Sequence, residues 1–223
     1  MRIVFVRHGE PDYENDCLTA RGHIQAGIAA KRLMEEGIDK IFSSPMGRAL
    51  QTAQAFSEES GLKSIEILDF MREIEWGDTD GVKIPDDGHP WALADRLAKE
   101  DYMLTDHNWK EHPYFKNNFV RDDFELIEEG TDKWLKCLGY EREGNFYRNN
   151  REKADEYTVA LFCHGGSSSS MLGHIFNLPL PFMVSAFHIQ FTGITVVRFD
   201  KTPGSIVPPI LEIACDARHV GLR

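Results

Sequence analysis

The amino-acid sequence predicts an α/β fold with a mostly parallel sheet. Two uninterrupted runs of apolar residues, at 3–6 and 158–163, are typical of strands that are buried on both faces. Segments with helical spacing follow the strands, and strands that alternate with helices favour parallel pairing. The chain has 223 residues, of which 42% are hydrophobic, and is long enough to bury one large core.

The first helix is predicted to begin after Thr19, which is a good N-cap, and to run to about Met34. Gly37 provides a stop signal beyond its last turn. The residues expected on its buried face are Ile24, Gly27 or Ile28, and Leu33.

The second strand, at 38–42, leads into Ser44 and Pro45, a capping residue and a proline suited to the start of a helix over 46–57. Arg48 then lies in the first turn of that helix, where its guanidinium, the free N–H groups and the helix dipole can face one anion. The remaining predicted elements are strands at 65–70, 158–163, 194–199 and 210–214 and a helix at 168–176.

Residues 82–157 interrupt this alternation of strands and helices. Eleven of the chain's 24 aromatic residues lie between Trp91 and Tyr147, so the segment is not expected to be a disordered linker. Helical spacing relates Val120, Phe124, Ile127, Thr131, Trp134 and Leu138. We expect one domain over residues 1–223, with a helical insertion at about 82–157 that packs over one end of the sheet.

Composition restricts the partners and the location of the protein. The net charge of −11 and the pI near 5.3 argue against nucleic acid or an anionic membrane, although a local cluster of arginines can still bind a small phosphorylated metabolite. Strand-like residues begin at position 3, which leaves no room for a signal peptide, and no apolar run approaches the ~18 residues of a membrane span. We expect a cytoplasmic protein with reduced thiols, because its cysteines are widely spaced: Cys17, Cys137, Cys163 and Cys215.

Five polar side chains are predicted to meet at the carboxyl ends of the strands. Arg7 and His8 end the first strand, His164 ends another, Arg48 begins a helix and Glu73 follows a third strand. Arginines stabilise the oxygens of a phosphoryl group bidentately, and a neutral imidazole is a competent nucleophile towards phosphorus. A carboxyl group can protonate the departing alkoxide and later deprotonate water. These residue types therefore predict a two-step phosphoryl transfer that needs neither a metal nor a cofactor.

The motifs resemble those of the histidine phosphatase superfamily, in its phosphoglycerate-mutase-like branch. The matching stretches, in the family's order, are residues 7–10 (RHGE), 18–26 (LTARGHIQA), 43–53 (SSPMGRALQTA), 72–77 (REIEWG) and 164–166 (HGG). The resemblance implies a three-layer α/β/α fold with the insertion over the site. It also implies that His8 is the phosphorylated nucleophile and Glu73 the proton donor and acceptor. By the same resemblance the phosphate pocket comprises Arg7, Arg48, His164 and Gly165.

Departures from the family's pattern favour hydrolysis over isomerisation. The mutases acting on phosphoglycerate have a longer loop after the first motif, with an asparagine that helps to hold the substrate. In this chain the corresponding loop comprises only residues 11–17, and Asn15 is the only asparagine in it. The segment 107–121 lacks the basic, proline-rich run of the mutases. The leading prediction is a phosphomonoester hydrolase, the first alternative is a phosphomutase with the same phosphohistidine, and the second is a non-catalytic phospholigand-binding protein.

Several other residues are considered for a function in the site. Glu75 is an alternative to Glu73 as the acid, and the run at 165–169 suggests a serine hydrolase but lacks the last glycine of GxSxG. Cys163 is expected to be a buried core thiol, and no histidine pair has the spacing of metal ligands. The residues considered for the mouth of the site are Tyr13, Trp76, His107, His112, Tyr114, Phe115 and Lys116.

Overall fold

A six-stranded, mostly parallel sheet forms the centre of the protein, whose computed structural model describes residues 1–221. The strands are β1 (Arg2–Arg7), β2 (Pro11–Asp12), β3 (Cys17–Leu18), β4 (Lys40–Ser43), β5 (Ile65–Ile67), β6 (Tyr140–Glu143), β7 (Phe146–Asn149), β8 (Thr158–Cys163), β9 (Ile194–Arg198), β10 (Ile206–Val207) and β11 (Ile210–Asp216). The helices are α1 (Ala20–Leu33), α2 (Gly47–Ser60), α3 (Pro90–Lys99), α4 (Phe119–Cys137), α5 (Gly165–Phe176) and α6 (Leu180–Ala186).

The strand order of the main sheet is β11-β9-β1-β8-β4-β5. Strands β1, β8, β4 and β5 run parallel, while β9 pairs antiparallel with β1 and β11 pairs antiparallel with β9. Strand β1 pairs with β8 from Arg2 opposite Thr158 to Arg7 opposite Cys163. The two apolar runs are therefore neighbouring central strands, and the residues that follow them emerge side by side.

Helices cover both faces of this sheet. Ile3 and Phe5 of β1 belong to a core that α3, α4, α5 and α6 complete, whereas Val4 and Val6 face a second core that α1 and α2 complete. This division follows from the alternation of side chains along a strand. The arrangement is a three-layer α/β/α fold, which confirms the predicted class.

Helix α1 begins as predicted, because Thr19 Oγ1 accepts a hydrogen bond from Gly22 N at 3.0 Å. Its buried face was predicted correctly only at Leu33, which is fully buried, because Ile24 is 64% exposed and Ile28 is 39% exposed. A Cβ on Gly22 would lie only 2.1 Å from the Glu10 carbonyl oxygen, so this glycine must face the loop after β1. That contact turns the small residues of α1 inwards, and the buried residues are Gly22, Gln25, Ala26, Ala29, Ala30 and Leu33.

Other element boundaries also differ from the predictions. Helix α2 begins at Gly47 with Met46 as its N-cap, not with Ser44, whose hydroxyl has another partner described below. Strand β5 ends at Ile67, because the chain turns into a 3₁₀ helix at Asp69–Met71. Helix α5 begins directly after His164, whose N–H donates to Ser167 Oγ at 3.3 Å and so anchors the first turn.

The segment 82–157 contains α3, α4 and a hairpin, β6–β7, which the spacing did not predict. Strand β10 pairs with β7 to extend the hairpin into a three-stranded sheet. The residues of α4 with helical spacing are buried as expected, except Leu138, which follows the last turn. Within residues 1–221, no helix has the length and apolar character that crossing a bilayer requires.

Candidate active site

The parallel pairing of β1 with β8 brings two histidines together at the edge of the sheet. The His8 and His164 ring centroids are 5.1 Å apart, and both residues are fully buried. His8 N donates to the Cys163 carbonyl at 3.0 Å, which continues the β1–β8 ladder by one residue. The two imidazoles therefore lie side by side, fully buried, at the carboxyl ends of two neighbouring strands.

The His8 ring is held in one tautomer. Its Nδ1 lies 2.7 Å from the Gly9 carbonyl oxygen, and because a carbonyl only accepts, Nδ1 carries the proton. Nε2 therefore carries no proton, and its lone pair accepts a long hydrogen bond from Arg48 Nε at 3.4 Å. Burial, reinforced by the charges of Arg7 and Arg48, lowers the pKa of His8 to about 3. His8 is thus a neutral imidazole with its Nε2 lone pair facing a guanidinium.

Arg48 lies in the first turn of α2, as predicted, and is almost fully buried. Its Nη1 lies 2.5 Å from Asp16 Oδ1, and its Nη2 lies 3.5 Å from Met46 Sδ. Asp16 Oδ2 also accepts from Gly47 N at 2.7 Å, at the start of the same helix. Asp16 was not predicted as a site residue, because no motif or spacing in the sequence connects this loop carboxylate with Arg48.

Arg7 has a buried donor that no described residue satisfies. Its Nη1 donates to the Ile189 carbonyl at 2.6 Å, and its guanidinium carbon lies 4.5 Å from the centroid of the Phe191 ring. Its Nε is buried without a hydrogen-bond partner among residues 1–221. Burial lowers the pKa of Arg7. A buried cation with an unsatisfied donor is expected where a ligand anion completes the site.

His164 is oriented by Ser44, the residue predicted to cap α2. Its Nε2 lies 2.8 Å from Ser44 Oγ, and its Nδ1 is buried without a hydrogen-bond partner in the described chain. Burial lowers the pKa of His164 well below its ordinary value, and the neighbouring His8 and arginines act in the same direction. His164 is therefore a neutral ring with one nitrogen left for a ligand.

Glu73 lies at the N-terminus of α5. Its Oε1 accepts hydrogen bonds from the backbone N–H groups of Ile74, Gly166 and Ser167 at 3.1, 2.9 and 3.1 Å. A Cβ on Gly166 would lie 2.7 Å from this oxygen, so the close approach needs a glycine. Burial raises the pKa of Glu73. Its Oε2 accepts no hydrogen bond within residues 1–221, so this oxygen is available to hold a proton.

A cavity of about 210 Å³ opens beside these residues. Its lining consists of Arg7, Tyr13, Glu73, Trp76, His89, Trp91, Gly165, Ser169, Phe187, His188 and Ile189. Tyr13 and Trp76 were predicted mouth residues, and the structure places both of them there. The other predicted mouth residues do not line it: His107, His112, Tyr114, Phe115 and Lys116.

Five lining residues were not predicted for the site from the sequence, namely His89, Trp91, Phe187, His188 and Ile189. They come from the start of α3 and from the loop after α6, and no spacing signal relates these segments. Glu75, the alternative acid, is exposed and does not line the cavity; its N–H donates to Asp123 Oδ2 at 2.6 Å.

The serines that follow His164 donate hydrogen bonds to backbone carbonyls of the first turn of α5 and are not arranged as nucleophiles. Ser168 Oγ donates to the His164 carbonyl and Ser169 Oγ donates to the Gly165 carbonyl at 2.8 Å. Cys163 is fully buried, as expected, and burial raises the pKa of its thiol to about 12. Within residues 1–221, no three or more histidine, cysteine or acidic side chains are grouped so as to hold a metal ion.

Comparison with known proteins places the chain in a family. The sequence profile of the histidine phosphatase superfamily (branch 1) matches residues 3–208. The chain therefore belongs to this superfamily, which confirms the resemblance of its motifs.

Similar proteins span almost the whole chain. A putative phosphoserine phosphatase 2 from Hydrogenobacter thermophilus is 22% identical over 98% of both chains. A glucosyl-3-phosphoglycerate phosphatase from Mycolicibacterium vanbaalenii is 29% identical over 92% of this chain and 88% of its own. The structure of a mutant phosphoserine phosphatase from Entamoeba histolytica, in complex with phosphoserine, superposes with a TM-score of 0.63 at 19% identity and covers 98% of both chains.

Proposed function

We propose that this protein hydrolyses small phosphomonoesters through a phosphohistidine at His8. The proposal rests mainly on the environment of His8 Nε2. This nitrogen belongs to a neutral ring, and its lone pair faces Arg48 Nε at 3.4 Å. A buried imidazole that stays unprotonated, next to guanidinium groups, suits nucleophilic attack on a bound phosphate.

In the first step, His8 Nε2 attacks the phosphorus atom. The N–P bond forms while the bond from phosphorus to the leaving oxygen breaks, and Glu73 gives its proton to that oxygen. Arg7, Arg48 and His164 hold the non-bridging oxygens. The unsatisfied Nε of Arg7 and Nδ1 of His164 supply two of the contacts.

In the second step, water attacks the phosphohistidine. The Glu73 carboxylate takes a proton from the water, the N–P bond breaks, and inorganic phosphate leaves with His8 again neutral. The low pKa of His8, about 3, keeps its lone pair available for the next turnover. The raised pKa of Glu73 allows the same carboxyl group to donate and then accept a proton.

Two further properties are part of the proposal. The segment 82–157 acts as a cap, because it contributes His89 and Trp91 to the cavity beside the phosphate pocket. The protein works in the cytoplasm. Its four free, widely spaced cysteines support this location, because thiols stay reduced there. The two relatives that span the chain are named as phosphatases, which favours hydrolysis over the mutase alternative.

A panel of phosphomonoesters, assayed for phosphate release with EDTA present, tests the proposal. We expect metal-independent release of phosphate from several esters. Incubation with 3-phosphoglycerate separates hydrolysis from isomerisation, since free phosphate marks a phosphatase and 2-phosphoglycerate marks a mutase. Isomer formation without phosphate release, or the absence of both reactions with every ester, would overturn the assignment.

A further inference from the structure

Three aromatic rings form a continuous row along the cavity. The Trp76 and His89 ring centroids are 4.8 Å apart with an interplanar angle of 79°, and the His89 and Trp91 centroids are 5.3 Å apart at 41°. Trp76 follows the Glu73 motif, whereas His89 and Trp91 begin α3. Trp76 is 42% exposed although it is large and apolar, so part of its ring is available to a ligand.

This row begins next to the phosphate pocket. A Cβ built on Gly165 would lie 3.5 Å from Arg7 Cζ and 3.6 Å from Trp91 Cζ2. The Arg7 guanidinium and the Trp91 indole therefore approach the same point of the backbone. A phosphomonoester bound to Arg7 would extend its leaving group over Trp91 and towards Trp76.

Within residues 1–221, the lining of the cavity has no arginine or lysine left for a second anionic group. Among residues 1–221, Arg7 is the only arginine or lysine in the lining and Glu73 the only acid, and both are assigned to the phosphoryl transfer; the other titratable residues of the lining are Tyr13, His89 and His188. Arg48, which does not line the cavity, is already paired with Asp16. His89 Nδ1 accepts from Ala92 N at 3.4 Å, and burial lowers the pKa of His89, so its ring is neutral.

We infer that the site selects phosphomonoesters whose leaving group is uncharged and presents a flat apolar face to Trp76 and Trp91. It disfavours leaving groups that carry a carboxylate, because the lining leaves such a group no arginine or lysine partner. This inference rests on the proposed function and refines it. It separates the protein from its named relatives, since phosphoserine and glucosyl-3-phosphoglycerate both carry carboxylates.

Three primary alkyl phosphates, which need the same protonation of the leaving oxygen, test the preference. We expect kcat/KM for 2-phenylethyl phosphate to exceed that for propyl phosphate about tenfold, as an aromatic contact of ordinary strength allows. We expect 3-phosphoglycerate to be the poorest of the three. A kcat/KM for 3-phosphoglycerate that equals or exceeds the value for 2-phenylethyl phosphate would overturn the inference.

Substitutions of the two tryptophans test whether they cause the preference for the phenylethyl ester. Trp76→Ala and Trp91→Ala should each lower kcat/KM for the phenylethyl ester more than for the propyl ester, and so remove most of the tenfold advantage. Trp76→Phe keeps a flat face and should retain the advantage. Tyr114→Ala removes a partly buried aromatic ring of the insertion that does not line the cavity, and it should leave all three values unchanged. A preference that survives both tryptophan substitutions would contradict the inference.

Binding of phosphonates, which cannot be hydrolysed, separates this inference from the proposed function. We expect 3-phenylpropylphosphonate to bind more tightly than butylphosphonate in calorimetry. If no ester is hydrolysed but this difference is found, the proposed function fails and the inference stands. If esters are hydrolysed without any preference for the phenyl group, the inference fails alone. If no ester is hydrolysed and neither phosphonate binds, both fail.

Discussion

The Asp16 carboxylate binds the guanidinium of Arg48 on the edge that faces away from His8. Asp16 Oδ1 lies 2.5 Å from Arg48 Nη1, whereas within residues 1–221 Nε and Nη2 have only the weak partners His8 Nε2 at 3.4 Å and Met46 Sδ at 3.5 Å. Nε and Nη2 form a side-on pair of donors that matches two phosphate oxygens. Asp16 therefore holds Arg48 with this pair free for a phosphoryl group on His8.

Removal of this contact should weaken catalysis. We expect Asp16→Ala to lower kcat/KM about tenfold, because a charge-assisted hydrogen bond that orients Arg48 is lost. Asp16→Asn, which can still accept from Nη1, should lose less. Glu14→Ala removes an exposed charge from the same loop and serves as the control. An unchanged or higher kcat/KM in Asp16→Ala would show that Asp16 does not orient Arg48.

The pH dependence of turnover should report Glu73 and not His8. Burial raises the pKa of Glu73, and the donor step needs its protonated form, so kcat for an alkyl phosphate should rise as pH falls through that pKa. His8, with a pKa of about 3, stays nucleophilic throughout this range. The measurement is kcat against pH for wild type and Glu73→Gln, and the variant should lose the alkaline descent together with most of its activity.

The same variant should separate the two steps. 4-Nitrophenyl phosphate has a leaving group that needs no proton, so Glu73→Gln should still transfer the phosphoryl group to His8 but should hydrolyse it slowly. We expect a burst of about one nitrophenolate per site, followed by slow turnover. A variant that retains the wild-type rate and pH profile would remove Glu73 from the mechanism.

Two glycines of α1 provide a matched test of the fold. A Cβ on Gly22 would lie 2.1 Å from the Glu10 carbonyl oxygen, whereas a Cβ on Gly27 would meet nothing within 4 Å. Gly22→Ala should lower the free energy of unfolding by about 1–3 kcal/mol, and Gly27→Ala should raise it by about 0.5–1 kcal/mol through helix propensity. Urea unfolding of both variants measures the difference. Equal effects would mean that the backbone contact at Gly22 yields without cost.

The contacts of His174 with Glu128 and Asp132 should make the free energy of unfolding depend on pH. His174 Nε2 lies 2.8 Å from Asp132 Oδ1 and its Nδ1 lies 3.2 Å from Glu128 Oε1, so both ring nitrogens donate when the ring is protonated. Burial lowers the pKa of His174, but the two carboxylates outweigh it and the pKa is raised. The stabilisation is therefore complete below the unfolded-state pKa and is lost as pH rises through the folded-state pKa.

His174→Gln should consequently lower the free energy of unfolding more at about pH 6 than at about pH 9. The cost at the lower pH should be about 1.5–3 kcal/mol, the range for hydrogen bonds to charged groups. The pKa values of Glu128 and Asp132 are lowered, so both carboxylates stay ionised across this range. A cost that is equal at both pH values would show that His174 is neutral in the folded protein.

The sequence predicted the parts of the fold that local signals determine. The apolar runs identified β1 and β8, and Thr19 identified the start of α1, because burial on both faces and capping leave marks within a few residues. The prediction that Ile24 and Ile28 lie on the buried face of α1 was wrong for a different reason. Ile24 and Ile28 are more apolar than the alanines beside them, but the close approach of Gly22 to Glu10 orients the helix and no local pattern records it.

The same distinction applies to the site. The motifs identified side chains at strand ends, and parallel pairing of β1 with β8 then brings His8 and His164 together. The contacts of Asp16 with Arg48 and of Ser44 with His164 join segments 32 and 120 residues apart. Contacts of this kind depend on packing of the whole chain and have no signature in either segment alone.

Trapping of the phosphoenzyme tests the central claim most directly. Wild type mixed with a ³²P-labelled phosphomonoester and quenched in alkali should carry label that is stable to base, labile to acid and located on His8. His8→Ala should fold normally and show neither label nor turnover, whereas His23→Ala, an exposed histidine of α1, should behave as wild type. Wild-type turnover by His8→Ala, or label on any other residue, would contradict the account.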